Sequence, residues 1–179
     1  MTSMVPTKGD MNNIVLFGFM GTGKTAVAEA VAETLSREYV SIDALIEKRE
    51  GASISDIFSA KGEPYFRAVE KEIVKEVSSL NEKVIDTGGG VILDEENVDN
   101  LKAGGITICL WASPHAIYER TKSFGHRPLL NVDDPEGKIK ELLDYRKPFY
   151  EKVEYHIDTT DFEIGDVVLK VKDILNESH

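Results

Sequence analysis

The sequence predicts an α/β fold, a single domain whose five-stranded parallel sheet carries helices on both faces. Two patterns lead to this reading. Short runs rich in β-branched residues alternate with longer stretches in which apolar residues recur every three or four positions, the spacing of helices with one buried face. Strands separated by helices of that length are joined by right-handed crossovers, so they lie parallel and are covered on both sides. A third observation sets the scale: 179 residues with 41% hydrophobic content suffice for one core, and no repeat, low-complexity tract or linker divides the chain.

Taken in order, residues 1–11 contain neither an apolar segment nor an arginine-rich amphipathic pattern. They read as a disordered leader or expression remnant ahead of one domain over 12–179. Strands are expected over 13–17, 39–42, 83–87, 106–111 and 154–158. Between them, 24–37, 63–79, 114–122 and 135–152 have helical spacing, and a last helix over 165–175 closes the chain. The second strand runs into 44–47, where the spacing again turns helical. Ligands of such a sheet bind beyond the carboxyl ends of its strands, so residues at those ends are the first candidates for chemistry.

Charge narrows the function classes. A formal net charge of −11 repels nucleic acid and anionic membrane surfaces, so neither is expected as a partner, and any bound anion needs a local basic pocket. No window reaches the ~18 apolar residues of a membrane span. The single cysteine, Cys109, lies between Ile108 and Leu110 and reads as strand packing in a reducing, cytoplasmic compartment. His115, His126, His156 and His179 show no metal-ligand spacing, and Trp111 ends an apolar strand as a packing residue.

The stretch from Asn13 to Val31, NIVLFGFMGTGKTAVAEAV, places three glycines in six residues between a strand and a helix. Gly18, Gly23, Lys24 and Thr25 satisfy G-x-x-x-x-G-K-[ST]. In that spacing the glycines let successive amides of Gly21, Thr22, Gly23, Lys24, Thr25 and Ala26 converge on phosphate oxygens. The lysine reaches the outer phosphates and the Thr25 hydroxyl can ligate Mg²⁺. Average residue frequencies produce the pattern by accident in only about 1% of chains this long, so an ordinary glycine turn is the weaker reading. The chain lacks the Asn-Lys-x-Asp loop with which GTPases read guanine, which leaves ATP as the nucleotide.

Other candidates sit at the carboxyl edge. Asp86 precedes Gly88, Gly89 and Gly90 at the end of the third strand, which suits a carboxylate on the Mg²⁺ side followed by amides near a γ-phosphate. Asp43 ends the second strand, where it could equally cap a helix. Arg67, Arg127 and Arg146, each taken alone, are as readily solvated surface residues, although Arg127 lies in a glycine- and proline-bounded segment able to move as a lid.

Jointly these positions resemble the shikimate kinase family over nearly the whole chain after residue 11. The resemblance rests on GFMGTGKT at 18–25, SIDALIE at 41–47, SISDIFSAKGEPYFRAVE at 53–70, GGG at 88–90, RPLL at 127–130 and YRKPFYEKV at 145–153. It implies a three-layer P-loop kinase fold with an acceptor-binding region over about 43–80 and a mobile lid over about 122–134. It further implies transfer of the ATP γ-phosphoryl group to the 3-hydroxyl of shikimate by a cytoplasmic monomer. Asp43, Arg67, Arg146 and the Gly88, Gly89 and Gly90 amides would hold shikimate. Arg120 would lie along adenine, and Lys24, Asp43 and Arg127 would carry the catalysis. One departure stands out: where the family usually has an aspartate two residues before Asp43, this chain has Ser41, while Asp86 replaces a small residue. Asp86 and Thr25 are therefore expected to serve the metal. The rival readings are a P-loop kinase for gluconate or a nucleoside monophosphate, and an ATP-binding regulatory module of weak activity.

Overall fold

The structure, a computed structural model, describes residues 12–124 and 130–178. Its strands are β1 (Asn13–Gly18), β2 (Glu38–Ser41), β3 (Lys83–Asp86), β4 (Gly105–Trp111) and β5 (Tyr155–Asp158). All five are parallel, in the order β2-β3-β1-β4-β5. β1 is buried along its whole length, as a central strand covered on both faces must be. Successive residues of β1 face opposite layers. Ile14 and Leu16 join Val84, Ile108, Leu110 and Ile157 in one core, and Val15 and Phe17 join Val40, Ile85 and Cys109 in the other. Burial pushes the Cys109 thiol up to about 12, so it is an inert packing group.

The first core is closed by α1 (Lys24–Thr34) and α8 (Ile164–Glu177) through Val27, Ala28, Val31, Val167 and Val171. Against the other face pack α2 (Ile42–Glu50), α3 (Ile54–Lys61), α4 (Glu63–Ser78), α5 (Glu95–Gly104), α6 (Pro114–Thr121) and α7 (Pro135–Tyr150). A 3-10 turn over Val91–Leu93 follows the triple glycine. Trp111 packs edge-on against Tyr150, their ring centres 5.2 Å apart.

The five expected strands and the five expected helices are present, with shifted ends. α1 stops at Thr34, short of residue 37, because Ser36 turns into the left-handed region (φ 52°) and the Arg37 amide bonds back to Ala32. The second strand ends at Ser41, because that residue caps α2. Two helices, α3 and α5, were not predicted from spacing. Each is at most ten residues long with few buried apolar groups, and each relies on its cap: Ser53 accepts from the Asp56 amide and Asp94 from the Glu96 amide. Residues 1–11, His179 and, within the expected lid, 125–129 lie outside the described residues. Among the described residues no helix is long and apolar enough to cross a membrane.

Candidate active site

The loop between β1 and α1 has the shape its glycines permit. Gly21 and Gly23 adopt φ of 77° and 87°, the left-handed region. A Cβ on Gly18 would meet the Thr22 hydroxyl at 2.7 Å and the Leu110 carbonyl at 2.9 Å. α1 begins at Gly23 with no side-chain cap and no acid in its first turn. By contrast α2, α3, α5, α6 and α7 each have a serine or aspartate oxygen on their first amides. An uncapped helix start preceded by a glycine loop can receive a polyanion. Lys24 Nζ lies 3.4 Å from the Gly18 carbonyl and 3.9 Å from Asp86 Oδ1.

Asp86, at the end of β3, is the carboxylate around which this half of the site is built. Its Oδ2 accepts from Thr25 Oγ1 at 2.8 Å and from the Tyr39 hydroxyl at 2.9 Å. Burial, reinforced by the charge of Asp86, raises the Tyr39 phenol well above its ordinary range, so Tyr39 is a donor at neutral pH. Ser41 lies directly opposite Asp86 in the β2–β3 register. Its hydroxyl accepts from the Ala44 amide at 3.1 Å as the cap of α2.

The second half of the site gathers on the triple glycine. A Cβ on Gly88 would collide with the Asp43 carboxylate, and one on Gly90 would collide with the Arg67 guanidinium. At Gly89 the neighbour is Arg146, whose Nη1 donates to the Gly89 carbonyl at 2.8 Å. Gly88 and Gly90 thus admit Asp43 from the first turn of α2 and Arg67 from α4, while the backbone of Gly89 takes Arg146 from α7 on its carbonyl. Arg67 donates to Glu70 at 2.8 Å and to Glu63 at 3.3 Å. Arg146 also lies over the Phe19 ring, 5.3 Å from its centre. Burial holds the Asp43 carboxyl above the ordinary aspartate range. Lys24 opposes that shift, Asp86 and Glu47 add to it, and Arg67 opposes it more weakly. Burial likewise raises the Glu70 carboxyl, with Arg67 opposing. Such a pocket offers two planar cations and a half-buried acid, a set able to bind a carboxylate and orient a hydroxyl.

On the far side of the phosphate loop, Arg120 of α6 donates to the Gly21 carbonyl at 3.2 Å and to the Thr159 carbonyl at 2.6 Å. The buried Thr159 hydroxyl donates in the same cluster toward the Thr22 and Trp111 carbonyls, at 3.0 and 2.9 Å. The phosphate loop, α6 and the β5–α8 connection are therefore tied together.

Against this geometry, the family model described as shikimate kinase matches residues 20–176. The chain belongs to the shikimate kinase family. It is 48% identical over 163 residues to a shikimate kinase of Thermodesulfovibrio yellowstonii, covering 89% of this chain and 94% of that one. It is 47% identical to one from Caldanaerobacter subterraneus subsp. tengcongensis, with 90% and 94% covered. Among solved structures, a shikimate kinase from Acinetobacter baumannii in complex with shikimate superposes with a TM-score of 0.87 at 37% identity, over 94% of each chain.

This shikimate kinase family chain brings Lys24, Thr25, Asp43, Arg67, Asp86, Arg146 and Gly88–Gly90 to one edge of the sheet, and Arg120 to the adjoining face of the phosphate loop. Ala26 is half-buried in the first turn of α1. Arg127 lies outside the described residues. Three residues that sequence reasoning passed over take part in the network: Tyr39, Glu70 and Thr159. Glu70 stands three positions after Arg67 on one helix, a spacing that could have flagged the pair. Tyr39 and Thr159 meet partners 47 and 137 residues away, and nothing local marks them.

Proposed function

We propose that this site transfers the γ-phosphoryl group of ATP to the 3-hydroxyl of shikimate, giving ADP and shikimate 3-phosphate. The observation that carries the reading is the convergence of Asp43, Arg67 and Arg146 on Gly88–Gly90, beside an uncapped phosphate loop. The two guanidiniums take the shikimate carboxylate as planar forks and Asp43 accepts from a ring hydroxyl, which fixes the acceptor relative to the loop. The hydroxyl oxygen attacks the γ-phosphorus as the bond to the β-phosphate oxygen breaks, and the hydroxyl proton passes to Asp43. A carboxyl held above its usual range is the better proton acceptor for this step. The transition state is loose, so positioning and charge neutralisation do most of the work. Lys24 and the loop amides serve the phosphates, and Arg120 the adenine side.

Asp86 and Thr25 form the metal side. Their hard oxygens suit Mg²⁺, which takes one or two protein ligands and completes its shell with phosphate and water oxygens. Because Thr25 donates its proton to Asp86, the lone pairs of its hydroxyl remain for a cation. When bound, Mg²⁺ neutralises charge on the transferring phosphates. With Ser41 engaged in capping α2, Asp86 on the neighbouring strand supplies the acid. The single buried thiol suits the reducing cytoplasm.

The test is turnover. Purified protein with MgATP should release ADP when shikimate is added, and only at background rate with gluconate or AMP. Release that follows gluconate or AMP would transfer the acceptor assignment to those chemistries, and no release with any acceptor would leave a nucleotide-binding module.

A further inference from the structure

We propose that Tyr39 is a positioning residue for the reaction, holding one oxygen of Asp86 so that the other stays available on the phosphate side. The inference rests on the reading that Asp86 serves the metal. Tyr39 and Ser41 point to the same face of β2, two residues apart. Tyr39 lies opposite Val84 and Ser41 opposite Asp86, so the phenol reaches Asp86 along the diagonal of the two strands. Diagonal neighbours are within range of a long aromatic side chain.

A carboxylate at the end of β3, beside a lysine, has two ways to settle. It can rotate onto the ammonium and form a tight ion pair, which would draw Lys24 away from phosphate and occupy the oxygen a cation needs. Alternatively it can be held from behind. Here both Tyr39 and Thr25 donate to Oδ2, while Oδ1 stands 3.9 Å from Lys24 Nζ, a loose approach. The same pair of donors fixes the Thr25 hydroxyl, because Thr25 shares its acceptor with Tyr39. Ser41, directly opposite Asp86, accepts from the Ala44 amide and is also hydrogen-bonded to the Tyr39 phenol, which it helps to aim at Asp86, and the Tyr39 ring is half-buried between β2 and the α1 layer. Groups that orient a ligand without touching the metal commonly change metal affinity by about 10- to 100-fold.

The experiment measures Mn²⁺ affinity of the enzyme–ADP complex by electron paramagnetic resonance, without turnover, alongside the Mg²⁺ half-saturation of shikimate-dependent turnover. Tyr39→Phe keeps the ring, and Tyr39→Leu is a second variant lacking the hydroxyl. Both should weaken Mn²⁺ binding by about 10-fold or more and raise the Mg²⁺ requirement to match, with the shikimate KM within about twofold of the parent. Asp86→Asn should weaken Mn²⁺ binding more. Adding Tyr39→Phe to Asp86→Asn should change nothing further, since the hydroxyl acts only through that carboxylate. If Asp86→Asn weakens binding but neither Tyr39 variant does, the Tyr39 role is overturned. It is equally overturned if the effect of Tyr39→Phe persists in the Asp86→Asn background. If Asp86→Asn leaves Mn²⁺ affinity unchanged, the metal-side reading of Asp86 itself fails.

Discussion

The two halves of the site are prepared in different ways. On the acceptor side the charged groups are held by the protein itself: Arg67 by Glu63 and Glu70, Arg146 by the Gly89 carbonyl, and Asp43 by its close approach to Gly88. On the phosphate side α1 starts without a cap, and Lys24, Thr25 and Tyr39 are grouped around the single carboxylate of Asp86. The difference fits the ligands. A small rigid acid is selected by geometry, so its pocket gains from being formed beforehand. A flexible triphosphate brings its own charge and its own cation, so its site needs donors more than shape.

The sharpest way to break this comparison is to disable the acid at the centre of the acceptor half. Asp43→Asn keeps the size of the side chain but cannot take a proton, and kcat should fall by about 10³-fold with the ATP KM little changed. Steady-state assays with each substrate varied would check this, and a kcat within tenfold of the parent would deny Asp43 its role as proton acceptor. Next in size are Arg67→Lys and Arg146→Lys. An ammonium cannot reproduce the planar fork, so the shikimate KM should rise about 10- to 100-fold in each while the ATP KM stays put. An equal rise in both KM values would erase the distinction between preformed and assembled halves.

The triple glycine sharpens the same contrast. Gly88→Ala and Gly90→Ala should each raise the shikimate KM by about tenfold or more, because the new methyl must displace Asp43 or Arg67. Gly89→Ala should be mild, since its methyl would meet Arg146 at 3.6 Å, an ordinary contact distance. Three adjacent, chemically identical substitutions with unequal effects would test the geometry directly. Equal effects would mean that the backbone, not the neighbouring side chains, requires glycine there.

What could be read from the sequence divides along the same line. The phosphate loop is contiguous, so its glycines, Lys24 and Thr25 announce themselves within eight positions. The acceptor pocket draws on α2, α4, α7 and the turn after β3, which meet only because β3 inserts between β2 and β1. No spacing rule reveals that, and without the family resemblance Arg67 and Arg146 read as surface residues. The exchange of Ser41 for Asp86 was visible as a pair of departures. The register that sets them side by side, and the tyrosine that completes the arrangement, were not. α3 and α5 escaped notice because helices of two or three turns are too short for the three- and four-residue spacing to repeat.

The smallest predicted effect concerns stability and separates function from folding at Asp43. Its folded-state pKa is raised even after Lys24 and Arg67 have pulled it down, so the surroundings disfavour the charged form overall. The folded chain then holds a proton over a pH range in which the unfolded chain has released it. Stability contributed by this group is fully present below the unfolded value of about 4 and is lost as pH rises through the folded value. At pH 7 the ionised carboxylate therefore costs stability, and Asp43→Asn should be the more stable protein. The gain should fade as pH falls toward 4, where the parent carboxyl is also neutral. Urea midpoints of the two proteins at pH 7 and pH 4 measure this, provided the slopes stay equal. A variant less stable than the parent at pH 7 would mean that Lys24 and Arg67 outweigh the burial, and that Asp43 serves the fold as well as the reaction.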